Sequence, residues 1–115
     1  MGSTSIEITS KAEHAFIKLQ KKDGILLAEI MKKIEMLEKG KPEALDIRPI
    51  IRKNGDYKIN EIRIKHPNSY RLFYIQVYQN EDKIIIVDGR KKKVGKFPLK
   101  YFKELDKCIN TYLGC

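Results

Sequence analysis

Three segments decide the fold: Glu61-Ile62-Arg63-Ile64-Lys65, then Tyr70-Arg71-Leu72-Phe73-Tyr74-Ile75-Gln76-Val77-Tyr78, then Lys83-Ile84-Ile85-Ile86-Val87-Asp88. In the first, which begins at Ile59, Ile62 and Ile64 alternate with Glu61, Arg63 and Lys65, the period of a half-buried strand. The second is apolar on both faces, as a central strand requires. Pro67-Asn68-Ser69 and Asn80-Glu81-Asp82 separate the three and read as turns. Together they predict a small antiparallel meander. Arg63 and Arg71 sit inside the strand patterns, and Arg90 follows the third strand in the basic run Asp88-Gly89-Arg90-Lys91-Lys92-Lys93. Guanidinium groups at similar places on neighbouring strands point to a polyanion, with RNA the first candidate.

Working outward, Ser10-Lys11-Ala12-Glu13 has the form of a capping box. Ala12, Ala15, Phe16 and Leu19 then recur at helical spacing up to Asp23-Gly24. A second helix carries Leu27, Ile30, Ile34 and Leu37 on one stripe and closes at Gly40 and Pro42. Their short connection predicts a helical hairpin. Ile6–Ile8 is a candidate short strand, although residues 1–8 as a whole are expected to be partly disordered or non-native. Ala44 to Ile51 is compatible with more than one structure, with Pro49 opposing a long helix. Pro98 opens a last helix that aligns Leu99, Phe102, Leu105, Ile109 and Leu113. The expected fold is α+β, one domain over residues 1–115, with a helical hairpin packed on an antiparallel sheet and a C-terminal helix. The helices are expected to cover one sheet face and leave the other partly open.

Composition narrows the function. A hydrophobic content of 42% excludes wholesale disorder. Residues 1–47 carry eight Lys/Arg and eight Asp/Glu, whereas residues 48–115 carry sixteen against seven, so the net charge of +9 lies entirely in the second part. Such a field favours anionic partners; the plain alternative is a lysine-rich solvated surface. No apolar run approaches the roughly 20 residues that span a bilayer, and Met1 to Ser5 has no signal-peptide character. Cys108 and Cys115 fit neither a disulfide framework nor a zinc site. A cytoplasmic protein without metal or cofactor is expected.

The pairing of Glu61-Ile62-Arg63-Ile64 with Tyr70-Arg71-Leu72-Phe73-Tyr74 resembles the two successive strands of the RelE/ParE toxin superfamily, and more closely its phage-derived and HigB-like branch. In that branch the third strand runs into a His-Gly-Phe segment followed by lysines and a proline. Here Gly89, Lys92, Lys93, Lys96 and Pro98 match, whereas Asp88, Arg90 and Phe97 depart. The resemblance spans roughly residues 10 to 113. It implies a RelE-like fold and a toxin of a type II toxin–antitoxin pair, acting as a ribosome-dependent mRNA endonuclease. It further implies partnership with mRNA, the ribosome and a cognate antitoxin, the latter a helix-turn-helix protein with an acidic contact segment. In such enzymes the RNA 2′-hydroxyl attacks the adjacent phosphate without a metal. A base, cations for the developing charge and an acid for the leaving oxygen are then needed. The alternatives are ParE-like inhibition of DNA gyrase and a non-toxic RNA-binding module.

Arg71 is the first candidate for the phosphate clamp, and Arg63 on the neighbouring strand is the second. The structural alternative for Arg71 is pairing with a carboxylate such as Glu61 or Asp88. Tyr101 and His66 are the candidates for proton transfer; His66 also reads as an exposed turn residue. Lys65, Arg90, Lys91, Lys92, Lys93 and Lys96 are candidate RNA contacts, or else solvated charge. Tyr70 and Tyr74 project from the face opposite Arg71, where they either pack in a core or stack on bases.

Overall fold

A computed structural model describes residues 4–53, 55–78, 82–92 and 95–114 of the chain; Lys93 and Cys115 lie outside them. Strand β1 (Ser5–Ile8) leads into helices α1 (Ser10–Lys22) and α2 (Gly24–Glu38). A short 3-10 turn at Pro42–Ala44 precedes β2 (Ile47–Pro49), β3 (Asn60–Ile64), β4 (Tyr70–Tyr78), β5 (Asp82–Lys91) and α3 (Leu99–Leu113). The five strands form one sheet in the order β1-β5-β4-β3-β2. β1 runs parallel to β5, and every other neighbouring pair is antiparallel.

The α+β architecture matches the sequence reading; one detail at the start of the chain corrects it. Ser5–Ile8 is an edge strand, in agreement with the candidate strand at Ile6–Ile8. The cap of α1 is Thr9 rather than Ser10, because the Thr9 side chain accepts from the Ala12 amide at 3.2 Å. Strand pairing selects Thr9: its amide donates to the Ile86 carbonyl at 3.0 Å and its hydroxyl to the Val87 carbonyl at 2.6 Å. Asp23 alone joins the two helices, terminating α1 and capping α2 through the Leu26 amide.

Helices α1 and α2 cover one sheet face, and α3 covers part of the other, which is left partly open as expected. α1 and α2 bury Phe16, Leu26, Ile30 and Ile34 against Ile62, Leu72, Tyr74 and Ile86. α3 buries Tyr101, Phe102, Leu105 and Ile109 against Phe73, Ile75, Ile85 and Val87 on the other. Each fully buried side chain of this size contributes about 1.5–3 kcal/mol of apolar transfer. Strand alternation places Tyr70 and Tyr74 in the first core, so packing is their structural role.

β5 continues three residues past the predicted end at Asp88, which turns part of the expected basic loop into strand. Between Phe73↔Asp88 and Tyr74↔Ile86 the register shifts, leaving Val87 as the extra residue of a β-bulge. Val87 and Asp88 consequently both face the α3 layer. Alternation then resumes with Gly89 toward α1 and Arg90 toward α3. Gly89 is the residue that permits this path, since a Cβ there would overlap the Tyr70 ring. The bulge thereby brings Arg90 onto the same face as Arg63 and Arg71.

Candidate functional site: an arginine-lined cavity

The pairing registers are Arg63↔Arg71 and Arg71↔Arg90, so three arginines form a row across β3, β4 and β5. The α3 layer covers this face only as far as the aromatic group Phe73, Phe97, Tyr101 and Phe102, whose rings stack mostly edge to face. Beyond it a cavity of about 440 Å³ remains open. Arg63, Arg71, Arg48, Arg52, Lys92 and Lys96 supply its positive charge, and Glu61 is the one carboxylate among the described residues that line it.

Glu61 stands two residues before Arg63 on the same face, and its side chain is only 8% exposed. Its Oε1 accepts from Arg63 Nε at 3.0 Å, and its Oε2 lies 3.6 Å from Arg71 Nε. One carboxylate therefore holds two guanidinium groups. The alternative partner foreseen for Arg71 is present, in the form of Glu61. Arg71 Nη1 also donates to the Tyr70 carbonyl at 3.3 Å, whereas its Nε is buried without a hydrogen bond of good geometry among the described residues. Arg63 is 37% exposed at its side chain and Arg71 13%, so the first reaches solvent while the second lines the wall.

Arg90 stands at the end of the row. Its guanidinium carbon lies 4.6 Å from the Tyr101 ring centroid and 5.9 Å from that of Phe97. Lys92 Nζ lies 4.7 Å from the Phe97 centroid and donates to the Gly95 carbonyl. These cation–π contacts fix two rim charges in place. Opposite them Arg52 forms a two-point ion pair with Asp106 of α3, at 2.7 and 3.0 Å, and donates to the Tyr57 carbonyl at 2.6 Å. That pair ties the segment after β2 to α3 and so fixes the width of the cavity.

Not every predicted residue gathers here. Tyr101 is buried and donates to Asp88 Oδ2 at 2.5 Å, outside the arginine cavity. Burial, followed by the Asp88 charge, pushes the Tyr101 hydroxyl far above its ordinary pKa. Burial likewise raises the Asp88 carboxyl, opposed by its hydrogen bonds to Tyr101 and the Gly89 amide. His66 and Lys65 are exposed and border a separate shallow depression with Asp46 and Glu29. Lys96 and Lys92 line the arginine cavity; Arg90 and Lys91 do not, and border instead an adjoining depression that shares Lys92 and Lys96 with it. Lys93 lies outside the described residues. Sequence reading missed Arg48 and Arg52, and the pairing pattern of β2 would have been needed to find them.

The phage-derived protein Gp49-like family (DUF891) matches residues 14–108. The chain belongs to this family, which includes RelE-like toxins of toxin–antitoxin systems. No curated protein and no solved structure matches the chain significantly. Among the described residues no helix is long and apolar enough to cross a membrane.

Proposed function

We propose that this protein is the toxin of a type II toxin–antitoxin pair and cuts mRNA on the ribosome without a metal. The observation that carries the reading is the pair Arg63–Arg71, in cross-strand register and held on one carboxylate inside a cation-lined cavity. A planar guanidinium suits the equatorial oxygens of a phosphorane, and two of them suit its double charge. In this reading Arg71 and Arg63 hold the scissile phosphate. Glu61 takes the proton of the attacking 2′-hydroxyl. As the P–O5′ bond breaks, Lys92 protonates the leaving oxygen, leaving a 2′,3′-cyclic phosphate and a 5′-hydroxyl. Lys96 and Arg90 bind flanking phosphates, and an acidic antitoxin segment neutralises the same surface.

A second reading has its own observation. No histidine or tyrosine is among the described residues lining the arginine cavity, and a cavity poor in proton-transfer groups suits a toxin that binds without cutting, as in gyrase inhibition. Induced expression in bacteria, with mapping of transcript ends, separates the two. Rapid loss of translation with new 5′-hydroxyl ends supports the nuclease. Growth arrest with DNA damage and intact transcripts would overturn it.

A further inference from the structure

Past the end of β1 the sheet edge opens onto a second and larger cavity, of about 640 Å³, between α1 and β5. β1 pairs with β5 only from Lys83 to Ile86, so Asp88–Lys91 meets no strand of the described residues on this side. Lys11, His14, Lys18 and Lys22 follow one another at three, four and four residues and form a single stripe of α1 along the cavity wall. Arg90 and Lys91, at the end of β5, also border this cavity. Asp88 and Glu104 also border the cavity, yet among the described residues none of these lysines is in an ion pair. Deep in the wall, Tyr70 is 2% exposed and its hydroxyl has no hydrogen-bond partner among the described residues. An unpaired hydroxyl at that depth is costly, and it marks a place where an incoming polar group gains a bond.

Two features identify the occupant. The lysine stripe runs for about 16 Å along α1 at 1.5 Å per residue, which exceeds one phosphate and suits a chain of them. Between the two cavities lies a depression bordered by Arg90, Lys91, Lys92 and Lys96, so positive charge continues around the end of β5 from one cavity to the other. We propose that the α1–β5 cavity is a second subsite for single-stranded RNA, receiving the nucleotides that flank the one held by Arg63 and Arg71. Their phosphates lie along Lys11, Lys18 and Lys22, and the Tyr70 hydroxyl bonds a phosphate or ribose oxygen. This inference rests on the RNA reading given above.

The test is anisotropy titration of the full chain with fluorescein-labelled uridine trimer and decamer at several salt concentrations. The trimer spans the arginine cavity alone; the decamer reaches both. The triple variant Lys11→Ala/Lys18→Ala/Lys22→Ala should weaken the decamer, leave the trimer unchanged and reduce the salt slope by about 2, at roughly 0.7 per lost phosphate contact. Tyr70→Phe keeps the ring against Gly89 and removes only the hydroxyl. It should weaken decamer binding severalfold without lowering the thermal midpoint. A triple variant with wild-type decamer affinity and slope would overturn the subsite, even where Arg71→Ala weakens both oligomers and so upholds the RNA reading. Failure of the wild type to bind either oligomer would overturn both. A triple variant that binds RNA normally but loses the antitoxin would make the stripe a protein-binding surface and overturn the inference as well.

Discussion

Glu61→Gln separates binding from chemistry at the arginine cavity. The substitution keeps an oxygen for Arg63 Nε, now at 3.0 Å, and removes the charge that faces both guanidinium groups. Arg63 is more than a third exposed and can turn to water, while Arg71 is largely buried and keeps the larger penalty. A charged hydrogen bond of this kind is worth about 1.5–3 kcal/mol, and solvent screening on the Arg63 side places the expected loss of stability toward the lower end. RNA affinity should hold or rise, since the cavity gains one net positive charge. Loss of the proton acceptor should slow cleavage by about 10²–10⁴. Urea unfolding, oligonucleotide titration and single-turnover cleavage on programmed ribosomes measure the three quantities separately. A folded variant that cleaves within about threefold of wild type would remove Glu61 from the mechanism. Affinity falling in step with cleavage would instead show that Glu61 only positions the arginines.

Other perturbations probe the frame around the cavity. Asp106→Asn leaves the Arg52 guanidinium buried and uncompensated and should cost about 3–5 kcal/mol, whereas Arg52→Leu/Asp106→Leu should cost clearly less than Asp106→Asn alone; urea unfolding of both checks this. Gly89→Ala drives a methyl group into the Tyr70 ring and should cost about 1–3 kcal/mol in the same assay, with a negligible loss contradicting the close approach of the two residues. Burial raises the Asp88 pKa, so between the ordinary carboxylate range and the raised value the native state binds more protons than the unfolded chain. Stability contributed by this group is therefore lost as pH rises through that interval. Asp88→Asn should remove the dependence, and a wild-type-minus-variant difference that stays constant from about pH 3 to pH 7 would contradict it.

The legible parts of the sequence were those governed by local periodicity. β4 was bounded correctly at Tyr70 and Tyr78 because its apolar run is flanked by turn residues on both sides. α3 was found from Pro98 and its aligned apolar positions, and it ends with Gly114 in the left-handed conformation (φ 76°). What escaped depends on partners distant in sequence. Ile47–Pro49 is too short to signal by itself and becomes a strand only through pairing with β3, while the candidate strand at Ile6–Ile8 gains its parallel partner only from β5. Because of the Val87 bulge, Arg90 falls on the Arg71 face, against the parity that strict alternation from Ile85 assigns it. The extent to which α3 covers the second face was not legible either, since α3 lies across the sheet from α1 and α2, a choice of side that no helical stripe reveals. The neighbouring placement of Arg63 and Arg71 was legible from the strand patterns. Those patterns offer Glu61 only as one of two carboxylates, with Asp88, that could pair with Arg71, and its hold on both arginines emerges from the structure. The place of Tyr101, under Arg90 and outside the arginine cavity, was not legible, since it depends on the bulge in β5 and the hydrogen bond to Asp88.

Arg71 gives the most direct test, because it is the central guanidinium of the row. Ribosome-dependent cleavage by purified Arg71→Ala, with its thermal midpoint measured alongside, should fall by about 10²–10³ in a folded protein that still binds its antitoxin. Wild-type cleavage by a folded Arg71→Ala variant would show that the scissile phosphate is held elsewhere.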